Sequence, residues 1–202
     1  AAGACYDGDP WDLVITPRWI KKALPIYSVL TLSATGSEMD PFAVISDMSK
    51  NEKWGTASEH MKPKMSILDP EYTYSVSKKQ TAAGTADMIS HICENYFTNV
   101  KNSDVQARFA EGLLKNCFKY GPIALEEPDN YDARANLMWT ASMAINGILS
   151  DGAEVSWCVH PMEHELSAFY DITHGEGLAI LTPHWMDFAL NDDTASKFAD
   201  YA

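Results

Sequence analysis

The spacing of apolar residues changes partway along the 202-residue chain. In the first third, apolar residues, many of them β-branched, form short runs that stop at turn residues, a pattern typical of strands. The predicted strands lie in YSVLTLSATGSE (27–38), which ends in a Thr/Ser/Gly turn, in FAVISD (42–47) and in KMSILDP (64–70). The polar segment between the last two predicts a hairpin region.

After about Val76 the apolar residues recur every three or four positions, which predicts helices. Asp104 is expected to cap the second helix and Gly121-Pro122 to end it, while Pro183 is expected to kink the last. The predicted helices cover 79–98, 105–120, 132–152, 154–170 and 175–190. The sequence therefore predicts the remnant of an α/β domain at residues 1–76 and an all-helical domain at residues 77–202.

Composition and charge narrow the class of protein. No apolar run approaches the roughly 18 residues that a membrane-spanning helix needs, and the formal net charge of −13 opposes a nucleic-acid partner or an anionic membrane surface. The four cysteines form no C-x-x-C motif, so we expect reduced thiols and a cytoplasmic protein. The first residues show no basic segment followed by an apolar run and no initiator Met, so we expect no signal peptide here and expect the chain to be a piece of a longer protein.

One predicted helix carries an isolated acid–base pair. In GTADMISHICENYF (84–97), Asp87 lies one turn before His91, so both side chains share a face. Only Ser90 and Glu94 add polar groups near this face, and a buried carboxylate is costly unless something positive pairs with it. A divalent metal would satisfy Asp87, and a simple Asp–His hydrogen bond inside a helical core is the alternative.

A second concentration of histidine lies in HPMEHELSAFYDITHGEG (160–177). His160, Glu163 and His164 form H-x-x-E-H, a zinc-peptidase signature. Pro161 suits the first turn of a helix better than the middle of a catalytic one. A peptidase of this class would also need a downstream carboxylate ligand, for which the undistinguished candidates are Asp171, Glu176 and Asp187. His60 and His184 are expected to be ordinary surface residues.

The strand-to-turn segment TLSATGSE (31–38) is a third candidate site. Its four hydroxyl groups and Gly36 could hold phosphate or ribose oxygens, although such segments are often rich in Thr, Ser and Gly.

Together these segments resemble the iron-containing (group III) alcohol dehydrogenase family, in particular its NADPH-dependent butanol dehydrogenase and aldehyde reductase branch. The resemblance rests, in order, on TLSATGSE, AVISD, LDPEYTYS, GTADMISHICENYF, RFAEGLLKN and HGEGLAILTP. It implies a dehydroquinate synthase-like fold, in which the end of a nucleotide-binding α/β domain precedes a helical metal-binding domain that is incomplete here at its C-terminus.

The resemblance also implies site residues and a reaction. The implied ligands of Fe²⁺ or Zn²⁺ are Asp87, His91, His160 and His174. His164 would lie near nicotinamide and substrate, where it would orient the substrate or relay a proton with a near-neutral pKa. The implied cofactor contacts, to NADP(H) rather than NAD(H), are Thr31, Thr35, Lys53 and Tyr72. The metal would act as a Lewis acid on a small alcohol or aldehyde during hydride transfer, and a homodimer is expected.

Two features depart from the family pattern. Asp40 stands where related sequences usually have Asn, and the family's glycine-rich phosphate loop is missing, so we expect this chain alone to be catalytically incomplete. Two alternatives stay open at this stage: a zinc peptidase of the H-x-x-E-H type, and a non-catalytic helical domain with a structural metal or none.

Overall fold

Four short strands and seven α-helices make up the chain, and the computed structural model describes all 202 residues. The strands are β1 (Tyr27–Val29), β2 (Phe42–Asp47), β3 (Glu52–Ala57) and β4 (Met65–Ile67). The helices are α1 (Trp11–Ile15), α2 (Lys78–Tyr96), α3 (Asp104–Glu126), α4 (Tyr131–Ile145), α5 (Val159–Tyr170), α6 (His174–Ala189) and α7 (Ala195–Tyr201). Single 3₁₀ turns lie at Gly3–Cys5, Pro17–Trp19, Glu59–Met61 and Pro70–Thr73.

The strands form two separate two-stranded sheets. β1 runs parallel to β4, with Ser28 opposite Ser66, and β2 pairs antiparallel with β3, which confirms the predicted hairpin. Asn51 takes a left-handed conformation (φ 53°) at the hairpin turn, as asparagine tolerates better than most residues. The Ser66 hydroxyl donates to the Glu38 carbonyl at 2.8 Å and so ties β4 to the TGSE turn.

The core of the helical part is built around α2, which packs against α3, α4 and α6. Ser77 caps α2, because its hydroxyl accepts the N–H of Gln80 at 3.2 Å. Apolar side chains on one face of α2 bury themselves against α3 and α4, and the largest of these are Met88 and Ile92. The face that carries Asp87 and His91 is buried as well, so the helix presents its polar pair to the interior and not to solvent.

The expected end of the second helix was wrong. α3 does not stop at Gly121-Pro122 but continues to Glu126, and Ser103, not Asp104, precedes its first residue. Gly121 lies against Thr85 of α2, and both Gly121 and Ala124 are buried. Packing against the neighbouring helix therefore outweighs the roughly 3 kcal/mol that a proline costs inside a helix.

Two further helix boundaries differ from prediction. α4 ends at Ile145, and irregular turns, with Gly147 and Gly152 at positive φ, take the chain to Val159, where α5 begins. Pro161 thus lies in the first turn of α5, as its chemistry indicated, and α6 is a single helix on both sides of Pro183. All four cysteines are free thiols, and Cys93 and Cys117 are buried. None of the helices combines the length and apolarity needed to cross a bilayer.

Candidate metal centre

Three helices bring four ionisable side chains to one point. Asp87 and His91 come from adjacent turns of α2, His160 from the first turn of α5 and His174 from the first residue of α6. Their donor atoms surround Asp87 Oδ1: His91 Nε2 lies 3.4 Å from it, His160 Nε2 3.5 Å and His174 Nε2 3.7 Å. The four residues that the family resemblance names as ligands therefore share one site.

The chemistry of these donors fits a divalent metal ion. Asp87 Oδ1 and His160 Nε2 are buried and have no hydrogen-bond partner, although buried polar atoms are nearly always partnered. Asp87, His91 and His160 form a buried group in which one donor atom from each lies within 4.8 Å of the others. One carboxylate and three imidazoles form an N₃O set that both Fe²⁺ and Zn²⁺ accept.

The imidazoles at this point stabilise the ionised form of Asp87. Burial raises the pKa of Asp87, but the nearby His91, His160 and His174 outweigh burial and lower it to about 2. Burial lowers the pKa of His91 to about 4. Burial also opposes a charge on His160, but its contacts with Asp87 and Glu94 raise its pKa to about 9. The cluster thus keeps an ionised carboxylate in the protein interior, where the neighbouring imidazoles compensate its charge.

His160 and His174 each contact a second, buried carboxylate. Nδ1 of His160 lies 2.5 Å from Glu94 Oε1, and Nδ1 of His174 contacts Glu163 Oε2. Such contacts on the far nitrogen leave Nε2 free to face a metal, a common arrangement around ligating histidines. His91 lacks this support, since its Nδ1 is buried without a partner.

The H-x-x-E-H segment does not form a peptidase centre. Glu163 is fully buried, and its Oε2 already pairs with Lys53 Nζ at 3.2 Å, while its Oε1 accepts from the Ser167 hydroxyl. His164 is not among the groups around Asp87, and its ring centroid lies 6.5 Å from that of His160. Glu163, His164 and His174 also bring donor atoms within 4.8 Å of one another. Lys53 already pairs with Glu163, however, and of the two histidines in the motif only His160 faces Asp87.

A cavity of about 520 Å³ opens onto the cluster, and some of the other predicted site residues line it. It is lined on the hairpin side by Lys53, Gly55 and Asp40, on the turn side by Thr35, and on the helical side by His91, His160, His164 and His174. Thr31 and Tyr72 are exposed and do not line it. The Lys53 ammonium contacts Glu163 and His174, so Lys53 lies beside the four candidate metal ligands.

His164 differs from its expected chemistry. Burial lowers its pKa to about 4, and the charges of Lys53 and His174 add to this effect. The near-neutral pKa expected from the sequence is therefore wrong, because Lys53 approaches from a strand 111 residues away. At neutral pH His164 presents an uncharged imidazole to the cavity.

The sequence analysis noted Glu94 and Glu163 but did not predict their contacts with the ligand imidazoles, and it missed Trp157. Glu94 and Glu163 hold the ligand imidazoles, and Trp157 packs edge-on against His91 and His160 at centroid distances of 5.8 and 5.0 Å. A signal for Glu94 was available, since Asp87, His91 and Glu94 follow each other at helical spacing. His60 and His184 are exposed and lie outside the cluster, as expected.

Fold and site together define a helical domain that can hold a divalent metal ion at the foot of a cavity, joined to a small α/β segment. The family model described as Fe-containing alcohol dehydrogenase family, C-terminal, matches residues 81–202, and that described as iron-containing alcohol dehydrogenase matches residues 1–70. The chain belongs to the iron-containing alcohol dehydrogenase family.

Individual relatives agree with this assignment. The chain is 62% identical over 201 residues to NADH-dependent butanol dehydrogenase A of Clostridium acetobutylicum, covering all of this chain and 52% of the relative. It is 41% identical over 206 residues to NADPH-dependent aldehyde reductase YqhD of Escherichia coli, again covering all of this chain and 53% of the relative.

Solved structures show the same likeness. The crystal structure of NADH-dependent butanol dehydrogenase A from Thermotoga maritima superposes with a TM-score of 0.90 at 46% identity, covering 93% of this chain and 47% of the other. The chain thus spans about half the length of the curated relatives it matches.

Proposed function

We propose that the protein interconverts small alcohols and aldehydes with a nicotinamide cofactor, and that it needs Fe²⁺ or Zn²⁺ held by Asp87, His91, His160 and His174. The observation that supports this most directly is the convergence of four donor atoms, two of them buried without partners, beneath an open cavity. The family membership supplies the reaction class. When bound, the metal would supply a Lewis acid that polarises the carbonyl or alcohol oxygen of the substrate.

The chain's own residues would then orient the substrate and shield it. The imidazoles of His91, His160 and His174 line the cavity, while Val44, Ile145 and Trp157 contribute apolar surface to its walls. Such surface excludes water and favours an alkyl chain, which suits a small apolar aldehyde. His164, uncharged at neutral pH, would accept a hydrogen bond from the alcohol hydroxyl and so orient it.

The cofactor would approach along the turn and the hairpin. Thr35 and Lys53 line the cavity and are the stronger candidate contacts, and Thr31 and Tyr72 would act at its outer edge. The family resemblance implied NADP(H), but the relative with 62% identity is named NADH-dependent and the one with 41% identity NADPH-dependent. We therefore propose NADH as the first cofactor to test, and we propose a cytoplasmic homodimer.

The test is the effect of Asp87→Ala on metal content and on turnover in the intact protein. We expect the variant to lose its stoichiometric metal. We also expect the rate of its NADH-linked reduction of butyraldehyde to fall by about 100-fold or more, since a Lewis acid lowers such a barrier by several kcal/mol. The matched control is Asp129→Ala, which removes an exposed carboxylate from the loop between α3 and α4.

Two results would contradict the proposal. One is full metal occupancy and normal turnover in Asp87→Ala. The other is a metal-loaded wild type that binds neither NADH nor NADPH, which would favour a non-catalytic domain with a structural metal.

A further inference from the structure

Glu94 is the most heavily used carboxylate of the helical part. It is 2% exposed and lies on α2, one turn beyond His91. Its Oε2 accepts the backbone N–H groups of Cys158 at 2.6 Å and Val159 at 3.0 Å. Its Oε1 accepts the backbone N–H of His160 at 3.1 Å and contacts the Nδ1 of the same residue at 2.5 Å. Four donors therefore meet one carboxylate.

This arrangement explains how an acid can be buried there without a lysine or arginine partner. An isolated carboxylate in the interior is strongly unfavourable. The N–H groups of Cys158, Val159 and His160 form the start of α5, where unpaired donors and the helix dipole favour negative charge. The fourth donor, His160 Nδ1, adds a charge-assisted hydrogen bond.

The same contacts determine what His160 presents to the cluster. Because Nδ1–H donates to Glu94, the ring directs Nε2 toward Asp87 Oδ1 at 3.5 Å. Loss of the Nε2 proton, as metal binding requires, leaves the lone pair on that nitrogen. The ring is held in this orientation because it stacks on His91 at a centroid distance of 4.6 Å and an interplanar angle of 14°. Trp157 packs edge-to-face against it as well. Both the tautomer and the orientation of His160 are thus determined from α2.

We infer that Glu94 is a positioning residue for the metal: it fixes His160 as an Nε2 ligand and anchors the start of α5 to the helix that carries Asp87 and His91. The inference rests on the metal centre of the proposed function but not on its reaction. No carboxylate contacts Nδ1 of His91 as Glu94 contacts that of His160. Glu163 contacts Nδ1 of His174, but it also forms an ion pair with Lys53. Loss of Glu94 should therefore affect metal binding strongly.

The decisive variant is Glu94→Gln in the intact protein, with Zn²⁺ affinity measured by competition with a chelator. A glutamine has only one acceptor oxygen. Its NH₂ group must therefore face either the N–H groups of Cys158 and Val159 or the two donors of His160, and that pair loses its acceptor. We expect the Kd for Zn²⁺ to rise by about 10- to 100-fold, as is typical when the outer partner of a ligating histidine is lost. Glu94→Asp, which keeps the charge, should recover part of this affinity.

The matched control is Asn130→Ala, which removes the side-chain cap of α4, where Asn130 Oδ1 accepts the N–H of Ala133 at 3.0 Å. It should lower the melting temperature in chelator but leave the Kd for Zn²⁺ within about twofold, because a cap contributes only about 1 kcal/mol of stability. If Glu94→Gln behaved in the same way, Glu94 would be a helix cap only and the inference would be overturned.

A measurement on the wild-type protein covers the case in which Glu94→Gln fails to fold. In the Zn²⁺-loaded protein, proton NMR should show a slowly exchanging, downfield Nδ1–H resonance of His160, and a His160 protonated on Nε2 would overturn the inference. A wild type that binds no metal would overturn both this inference and the proposed function. Normal metal binding with an unchanged Kd in Glu94→Gln would overturn this inference alone.

Discussion

At the scale of single residues, Asp40 is a carboxyl group in an unfavourable environment. It is 3% exposed and its Oδ1 accepts the N–H of Phe42 at 2.7 Å. Burial raises its pKa to about 7; the N–H of Phe42 opposes this shift, Glu38 increases it and Lys62 again opposes it. The carboxyl group therefore binds its proton more tightly in the folded than in the unfolded chain, so its favourable contribution is complete below pH 4 and is lost as the pH rises through 7.

Asp40→Asn should remove this pH dependence. The amide oxygen can still accept the N–H of Phe42, while no charge is buried at high pH. We expect the variant to be more stable than wild type at pH 8 by roughly 2–4 kcal/mol, and this difference to shrink to about 1 kcal/mol or less at pH 4.5. Thermal melts at the two pH values measure this difference. The control is Asp9→Asn, since Asp9 accepts the N–H of Trp11 in the same local geometry but is exposed. Equal melting curves for Asp40→Asn and wild type at pH 8 would contradict the prediction.

At the scale of the elements, the metal centre depends on how closely α6 approaches α2. Gly175, directly after His174, allows this approach: a Cβ atom there would lie 2.0 Å from the carbonyl oxygen of Ala83 and 2.5 Å from its carbonyl carbon. Both are backbone atoms and cannot move aside as a side chain could. The two helices therefore meet backbone to backbone beside a ligand.

Gly175→Ala should push α6 away from α2 and displace His174. We expect a loss of about 3 kcal/mol in the free energy of unfolding, at the upper end for overpacked sites, together with weaker Zn²⁺ binding. Denaturant unfolding and chelator competition measure the two effects. Gly112→Ala in α3 is the control, since a Cβ there has nothing within 4 Å, and it should stabilise the protein by about 0.5–1 kcal/mol. Unchanged metal affinity in Gly175→Ala would show that the close approach does not position His174.

The sequence predicted the secondary-structure elements better than it predicted the contacts of the metal centre. Local patterns sufficed for β2, for the hairpin and for α2, because alternation, turn residues and helical spacing act over a few residues. The Asp87–His91 pair was also readable from one turn of helix. The start of α5 was not, because it depends on Glu94, which lies 64 residues earlier than Cys158. That His160 and His174 join the cluster followed only from the family resemblance, since no local pattern brings two distant helices together.

At the scale of the whole molecule, side-chain contacts join the small α/β segment to the helical part at the site. Lys53 of β3 reaches Glu163 of α5 across 110 residues of sequence, and Glu38 of the TGSE turn accepts the hydroxyl of Ser142 in α4. Gly55 of β3 lies beside His164. The predicted domain boundary at residues 76/77 stays a prediction, but the cavity itself is shared by both parts, so its shape depends on their association.

Metal binding should stabilise the whole helical part, because the four proposed ligands link three helices between residues 87 and 174. An ion that binds only the folded state adds about 1.4 kcal/mol for each tenfold excess over its Kd, which corresponds to roughly 3–6 °C in melting temperature for a chain of this size. We therefore expect the melting temperature of the metal-free protein to rise steadily as free Zn²⁺ is added above the Kd.

Ca²⁺, which prefers six or more oxygen ligands, should give no such rise. Asp87→Ala should melt at the same temperature with and without Zn²⁺, because it lacks the central anionic ligand. If instead its melting temperature rose with Zn²⁺ as steeply as that of wild type, the ion would be binding elsewhere and the four-residue centre would be the wrong assignment.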